Sequence, residues 1–157
     1  MNNLKEYNIK LTDLEENKSY FYDYAVGMNF FTFFEEKEIK DGKISAQIIV
    51  IKNSNNLIFE IIVKGNVILV CDRCLDEYEQ PVDFKDTVFA KELDDPQNDN
   101  SDIIYLGKKT TEINIAKFIY DTILLALPIK HNHLEDENGN FSCNPLVMEK
   151  IKKYIIN

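Results

Sequence analysis

Cys71-Asp72-Arg73-Cys74 sets two thiols two residues apart. A tight turn at that spacing brings both sulfurs to one side of the backbone, where as thiolates they can hold half of a metal site. The third cysteine, Cys143, and both histidines, His131 and His133, share one window near the other end of the chain. Folded back onto the turn, that window supplies the rest. Cys71, Cys74, Cys143 and one histidine make the four ligands of a closed structural zinc site, joining two halves of the chain. Arg73, inside the turn, would offset the charge of three thiolates. The residue types alone leave the choice between His131 and His133 open, and the gap from Cys74 to the histidines is not that of a zinc finger.

The same residues suit other chemistry less well. A thioredoxin-type dithiol sits at a helix N-terminus after a parallel strand. Here the flanks read as an antiparallel hairpin followed by acids, which raise a thiol's pKa. Cys143 could pair with a histidine as a nucleophile, but no base-orienting partner stands near it. The carboxylates of residues 75–102 lie in a solvated run with no apolar pocket to shift their pKa. Residues 94–102 resemble a calcium loop only in composition, lacking its glycine and closing glutamate. Five glycines, none clustered, exclude a Gly-rich phosphate loop.

The chain has 157 residues, enough for one domain over 1–157, mainly β over 1–106 and mainly α over 107–157. Residues 1–10 show no apolar block before a small-residue cleavage site. No stretch approaches the roughly 18 apolar residues a membrane span needs. The expectation is a cytoplasmic protein, in which three cysteines are a poor disulfide framework. The net charge is −9, which argues against gripping nucleic acid by bulk electrostatics. The acidity is local, however. Residues 75–102 hold ten acids against two lysines, a net of −8, and the rest of the chain is close to neutral at −1.

The elements that must position the cysteines follow from the apolar pattern. Residues 4–14 alternate loosely and read as a first strand, and the aromatic run 20–26 as a second. Residues 29–34, too aromatic for water, read as a short helical turn plugging the core; a stacking platform for bases would need interleaved basic residues. Asp41-Gly42 reads as a tight hairpin turn, with a strand over 44–51 and a turn over 53–56. A long strand over 57–70 places Leu57, Phe59, Ile61 and Val63 on one face and Ile58, Ile62 and Ile68 on the other. Gly65-Asn66 marks a bulge. After the cysteine turn, 77–91 pairs back as a hairpin, and 103–106 is a short strand ended by Gly107. Asn114 caps a helix over 115–127 with a buried stripe of Ile115, Phe118, Ile119, Thr122, Ile123 and Ala126; Pro128 ends it. Asn144-Pro145 opens a last helix to about residue 156, packing through Leu146, Ile151, Tyr154 and Ile155 with Lys150, Lys152 and Lys153 in solvent. The fold class is α+β: an antiparallel meander over 4–106, curled toward a barrel, then two helices.

In this order stand Phe30-Phe31, Gly65 ahead of Val70-Cys71-Asp72-Arg73-Cys74-Leu75, Asn114, Leu125-Ala126-Leu127-Pro128, His133, Cys143 and Asn144-Pro145. The pattern resembles the YceD family of bacterial large ribosomal RNA subunit accumulation proteins over about residues 10–155. That family's histidine lies five positions after the proline, so the resemblance implies the ligand set Cys71, Cys74, His133 and Cys143. Two departures stand out: His131 falls where many members have a second proline, and the gap from histidine to cysteine is longer. The resemblance further implies a role in accumulation or processing of 23S rRNA and in large-subunit assembly, with no catalytic activity.

Three functions compete on these residues. The first is a non-enzymatic assembly factor binding 23S rRNA or a pre-50S particle, through a basic face drawn from Lys108, Lys109, Lys117, Lys130, Lys150, Lys152 and Lys153. Lys150, Lys152 and Lys153 are the sharpest candidates for RNA contact. The second is an adaptor whose acidic segment 75–102 meets a basic ribosomal protein without touching RNA. The third is a thiol or metal-dependent enzyme, which would need an open coordination position that four protein ligands close.

Overall fold

The structure is a computed structural model that describes residues 4–34, 38–93, 103–135, 137–138 and 142–155. A 3-10 turn at Lys5–Tyr7 leads into β1 (Asn8–Lys10), and a second turn, Leu11–Asp13, leaves it. Then follow β2 (Ser19–Val26), α1 (Met28–Phe33), β3 (Asp41–Asn53), β4 (Asn56–Val70) and β5 (Glu77–Leu93). The chain ends with β6 (Ile103–Gly107), β7 (Glu112–Asn114), α2 (Ala116–Ala126) and α3 (Pro145–Ile155). The architecture is α+β with two helices at the C-terminal end.

Five strands form one sheet in the order β2-β3-β4-β5-β6, and β1 and β7 form a second, two-stranded one. Two expectations need correction. The larger sheet is open, with β2 and β6 at its ends and no pairing between them, so it does not close into a barrel. Nor is it wholly antiparallel: β6 runs parallel to β5, with Phe89 opposite Ile103 and Leu93 opposite Gly107. A parallel neighbour needs a crossover longer than a hairpin turn, so a simple meander cannot extend to it.

Chain contacts gather into two compact units. The first comprises Met1–Ala25, Ser45–Lys64 and Asp83–Ala126. Its core alternates as a half-buried strand should: Leu57, Phe59, Ile61 and Val63 are buried, and Ile58 and Ile62 half-buried. Against these lies α2, with Ile119, Thr122 and Ile123 buried and Phe118 packing its ring 5.8 Å from that of Phe59. Asn114 does more than cap. Its Oδ1 accepts the Ala116 N–H at 3.0 Å, and its Nδ2 donates to the Leu4 carbonyl at 2.8 Å and to Asn8 Oδ1 at 2.6 Å. The expected first strand is only three residues long, because its flanks wind into the two 3-10 turns around this anchor.

The second unit comprises Val26–Ile44, Gly65–Val82 and Leu127–Asn157. In α1, Phe30 and Phe31 are buried with their rings edge-to-face at 5.5 Å. Asp41-Gly42 is not a hairpin turn but the start of β3. Gly42 is there for closeness: a Cβ would lie 2.9 Å from the Phe31 ring and 3.0 Å from the Asn66 carbonyl. Gly65 has φ +148°, and a Cβ on it would sit 2.0 Å from the Lys43 carbonyl oxygen, so only glycine fits. In α3 the packing stripe is also different. Leu146 and Tyr154 are 72% and 85% exposed, while Val147, Met148 and Ile151 are half-buried. The Ile155 side chain lies outside the described residues.

Candidate metal centre

The hairpin of β4 and β5 is closed by residues 71–76, and this closure is a knuckle. The Cys71 N–H donates to the Asp76 carbonyl at 2.8 Å, and the Leu75 N–H to the Cys71 carbonyl at 3.0 Å. Leu75 takes φ 63° to close it, a left-handed conformation costing a residue with a Cβ about 1–2 kcal/mol. The knuckle thus turns both sulfurs inward at the expense of a strained, exposed leucine.

Two hydrogen bonds fasten the distant window to this knuckle. The Asp72 N–H donates to the His131 carbonyl at 2.6 Å, and the His131 N–H donates to Asp72 Oδ2 at 2.8 Å. His131 is thereby held with its ring turned elsewhere, its Nε2 lying 3.1 Å from Glu38 Oε1. Two residues on, His133 Nε2 comes 3.2 Å from Cys74 Sγ, with Tyr78 packed against its ring at 5.2 Å. Cys143 Sγ lies 3.8 Å from Cys71 Sγ. The ligand atoms of Cys71, Cys74, His133 and Cys143 all fall within 4.8 Å of one another.

Three sulfurs and a nitrogen suit zinc in type and number. The dimensions agree as well. Tetrahedral Zn–S bonds of about 2.3 Å imply a sulfur–sulfur edge of about 3.8 Å, the Cys71–Cys143 separation. All three cysteines are free thiols, with Cys71 and Cys74 buried and Cys143 half-buried.

Electrostatics separates the thiols. Burial pushes Cys71 up, but the N–H groups of Cys74, Arg73 and His133 outweigh it and bring its pKa down to about 7. The acids after the turn therefore do not govern this thiol, contrary to the sequence reading. Burial raises Cys143 to about 11, helped by its hydrogen bond to Cys71 and the Cys71 charge. The metal-free site thus offers one ready thiolate beside a thiol that needs a cation to ionise.

Three further residues support the site: Asp72 through its bonds to His131, Tyr78 against the His133 ring, and Glu38 beside His131. Asp72, within the Cys-x-x-Cys turn, carried the best signal, being a short acceptor able to fix backbone N–H groups. Glu38 and Tyr78 offered none. The lysines of the expected basic face fall in both units. Lys108, Lys109 and Lys117 fall in the first unit, and Lys117 is paired with Asp121 at 2.7 Å. Lys130, Lys150, Lys152 and Lys153 fall in the second and are exposed. Of the acidic segment, Glu77, Glu79 and Asp83 are exposed on β5, whereas Asp94, Asp95, Asp99 and Asp102 lie outside the described residues. A cavity of about 320 Å³ in the first unit is lined by Leu57, Ile58, Phe89 and Ile103, with Lys91 its one ionisable side chain. That lining provides no nucleophile–base pair. Among the described residues no helix is long and apolar enough to cross a membrane.

A family model for the large ribosomal RNA subunit accumulation protein YceD matches residues 59–150. No curated protein and no solved structure matches the chain. The matched stretch covers more than half of the 157 residues and holds all four clustered ligands together with Asp72. The chain belongs to the YceD family, the large ribosomal RNA subunit accumulation proteins.

Proposed function

We propose that the chain is a non-enzymatic cytoplasmic factor for 23S rRNA accumulation and large-subunit assembly. In this reading residues 1–157 work as one domain, contacting 23S rRNA or a pre-50S particle. Cys71, Cys74, His133 and Cys143 would hold a structural zinc ion. The observation that carries the reading is the convergence of those four ligand atoms in a chain of this family. Four protein ligands close the coordination shell, so zinc would cross-link the knuckle to residues 127–143 and leave no position for a substrate. Lys150, Lys152 and Lys153, all exposed on α3, are the groups that would meet phosphates.

The test is RNA affinity against salt. Binding of a 23S rRNA fragment should weaken as salt rises, and Lys152→Glu with Lys153→Glu should weaken it further. Binding that ignores both would sink direct contact through α3. The exposed acids Glu77, Glu79 and Asp83 on one face of β5 support a second reading, an adaptor for a basic ribosomal protein. Neutralising segment 75–102 should then reduce recovery of ribosomal proteins in a pull-down; unchanged recovery counts against it.

A further inference from the structure

The outward side of α3 sets an open aromatic ring beside cations. Leu146, Lys150, Lys153 and Tyr154 follow one another at four, three and one residues, which places them along one stripe of the helix. Val147, Met148 and Ile151 form the half-buried side, and Tyr154, seven residues after Val147 and three after Ile151, stands at its border. Tyr154 is 85% exposed, the most open aromatic ring among the described residues. Its neighbours on the stripe are cations: Lys150 lies one turn before it and Lys153 directly precedes it.

These cations are also free. Some lysines of the protein are held by carboxylates: Lys18 by Glu15, Lys85 by Glu60, and Lys117 by Asp121. Among the described residues, none of Lys150, Lys152 and Lys153 has an ion pair, and Tyr154 has no hydrogen bond or ring contact. In a chain of net charge −9, Lys150, Lys152 and Lys153 outnumber the one acid beside them, Glu149, and form a local reversal of sign. A ligand that fits must bring negative charge without breaking an ion pair already made. It must also bring a flat apolar surface to cover the ring.

We infer that this stripe binds unpaired RNA, with Tyr154 stacking on a base and Lys150 and Lys153 contacting the flanking phosphates. The inference rests on the RNA reading above and adds the strand state of the partner and the stacking residue. A duplex would satisfy the lysines but leave the ring uncovered, since its bases are already stacked on each other. An acidic peptide would likewise satisfy only the charges. A single strand satisfies both, because every base offers a π-face and every linkage a phosphate.

The test uses the full chain with a labelled single-stranded oligonucleotide, its duplex form, an abasic strand of equal length and polyglutamate. The single strand should bind tightest. Tyr154→Ala should weaken that binding roughly 10-fold, and Tyr154→Phe should restore most of it, because the ring acts and not the hydroxyl. Tyr154→Ala should not change binding of the abasic strand. Lys150→Gln and Lys153→Gln should each flatten the salt dependence by about 0.7 in the log–log slope. These side chains face solvent, so unchanged circular dichroism will verify that the variants fold. If Tyr154→Ala binds the single strand as wild type does while the lysine variants weaken it, stacking is wrong and the RNA reading survives. Phe failing like Ala, or polyglutamate binding as tightly as RNA, overturns the inference. No RNA binding by the wild-type chain overturns both.

Discussion

His133 and His131 are two residues apart, yet they do different work. His133 Nε2 faces the sulfurs, and His131 Nε2 faces Glu38. Replacing His133 with Ala should therefore lower zinc affinity at least ~10-fold, the usual cost of disturbing a ligand shell. His131→Ala should leave the zinc stoichiometry intact; a competition titration with a chromogenic chelator separates the two. The Cys71 thiol gives a second handle. In the folded, metal-free chain its pKa is lowered from 9.0 to about 7. Between those values the native state binds fewer protons than the unfolded one. The stability this contributes is present above pH 9.0 and lost as pH falls through about 7. Ultraviolet absorbance of the metal-free protein should show one thiolate appearing near pH 7, and Cys71→Ser should abolish that step. A first thiolate appearing only near the ordinary cysteine value would contradict the geometry of the knuckle.

Among the elements, the ones fixed by local chemistry were legible. The cysteine knuckle, the Asn114 and Asn144 caps, the Pro128 stop and the alternation of β4 all follow from residues close in sequence. What the sequence hid is non-local. The pairing of β1 with β7 joins Ile9 to Ile113, and nothing in three-residue strands announces it. The parallel placement of β6 depends on a crossover, and hydrophobic alternation carries no strand direction. On α3 the expectation holds for Ile151, which is half-buried, but not for Leu146 and Tyr154, which are apolar enough to suggest burial yet stand exposed while Val147 and Met148 turn inward. At Gly65, where the sequence points to a bulge, the backbone φ of +148° and the Lys43 carbonyl against it make a close-approach site. Gly65→Ala should destabilise the protein by about 3 kcal/mol or more, since overpacking and a forbidden φ add. Chemical denaturation measures this, and a loss under about 1 kcal/mol would show that the β3–β4 approach is looser.

At the scale of the whole molecule, all four clustered ligands belong to the second unit, on two of its three chain segments. The sequence offered a clasp between two halves of the chain; the structure draws the ligands from residues 65–82 and 127–157 inside one compact unit. Metal would add to the core that Phe30, Phe31, Val67 and Leu69 build in this unit, whose final helix turns only one half-buried side inward. Chelation, or Cys74→Ser, should accelerate hydrogen exchange in residues 65–82 and 127–155. Exchange that stays slow there after the metal is stripped would mean the unit holds itself together by packing alone.

The direct measurement is the metal content and ligand environment of the protein purified without chelator. One zinc per chain is expected, with X-ray absorption giving three sulfurs at about 2.3 Å and one nitrogen at about 2.0 Å. Cys143→Ser should convert one sulfur to oxygen or lose the metal. A folded chain that carries no zinc, takes none up, and leaves all three thiols open to titration would contradict the account.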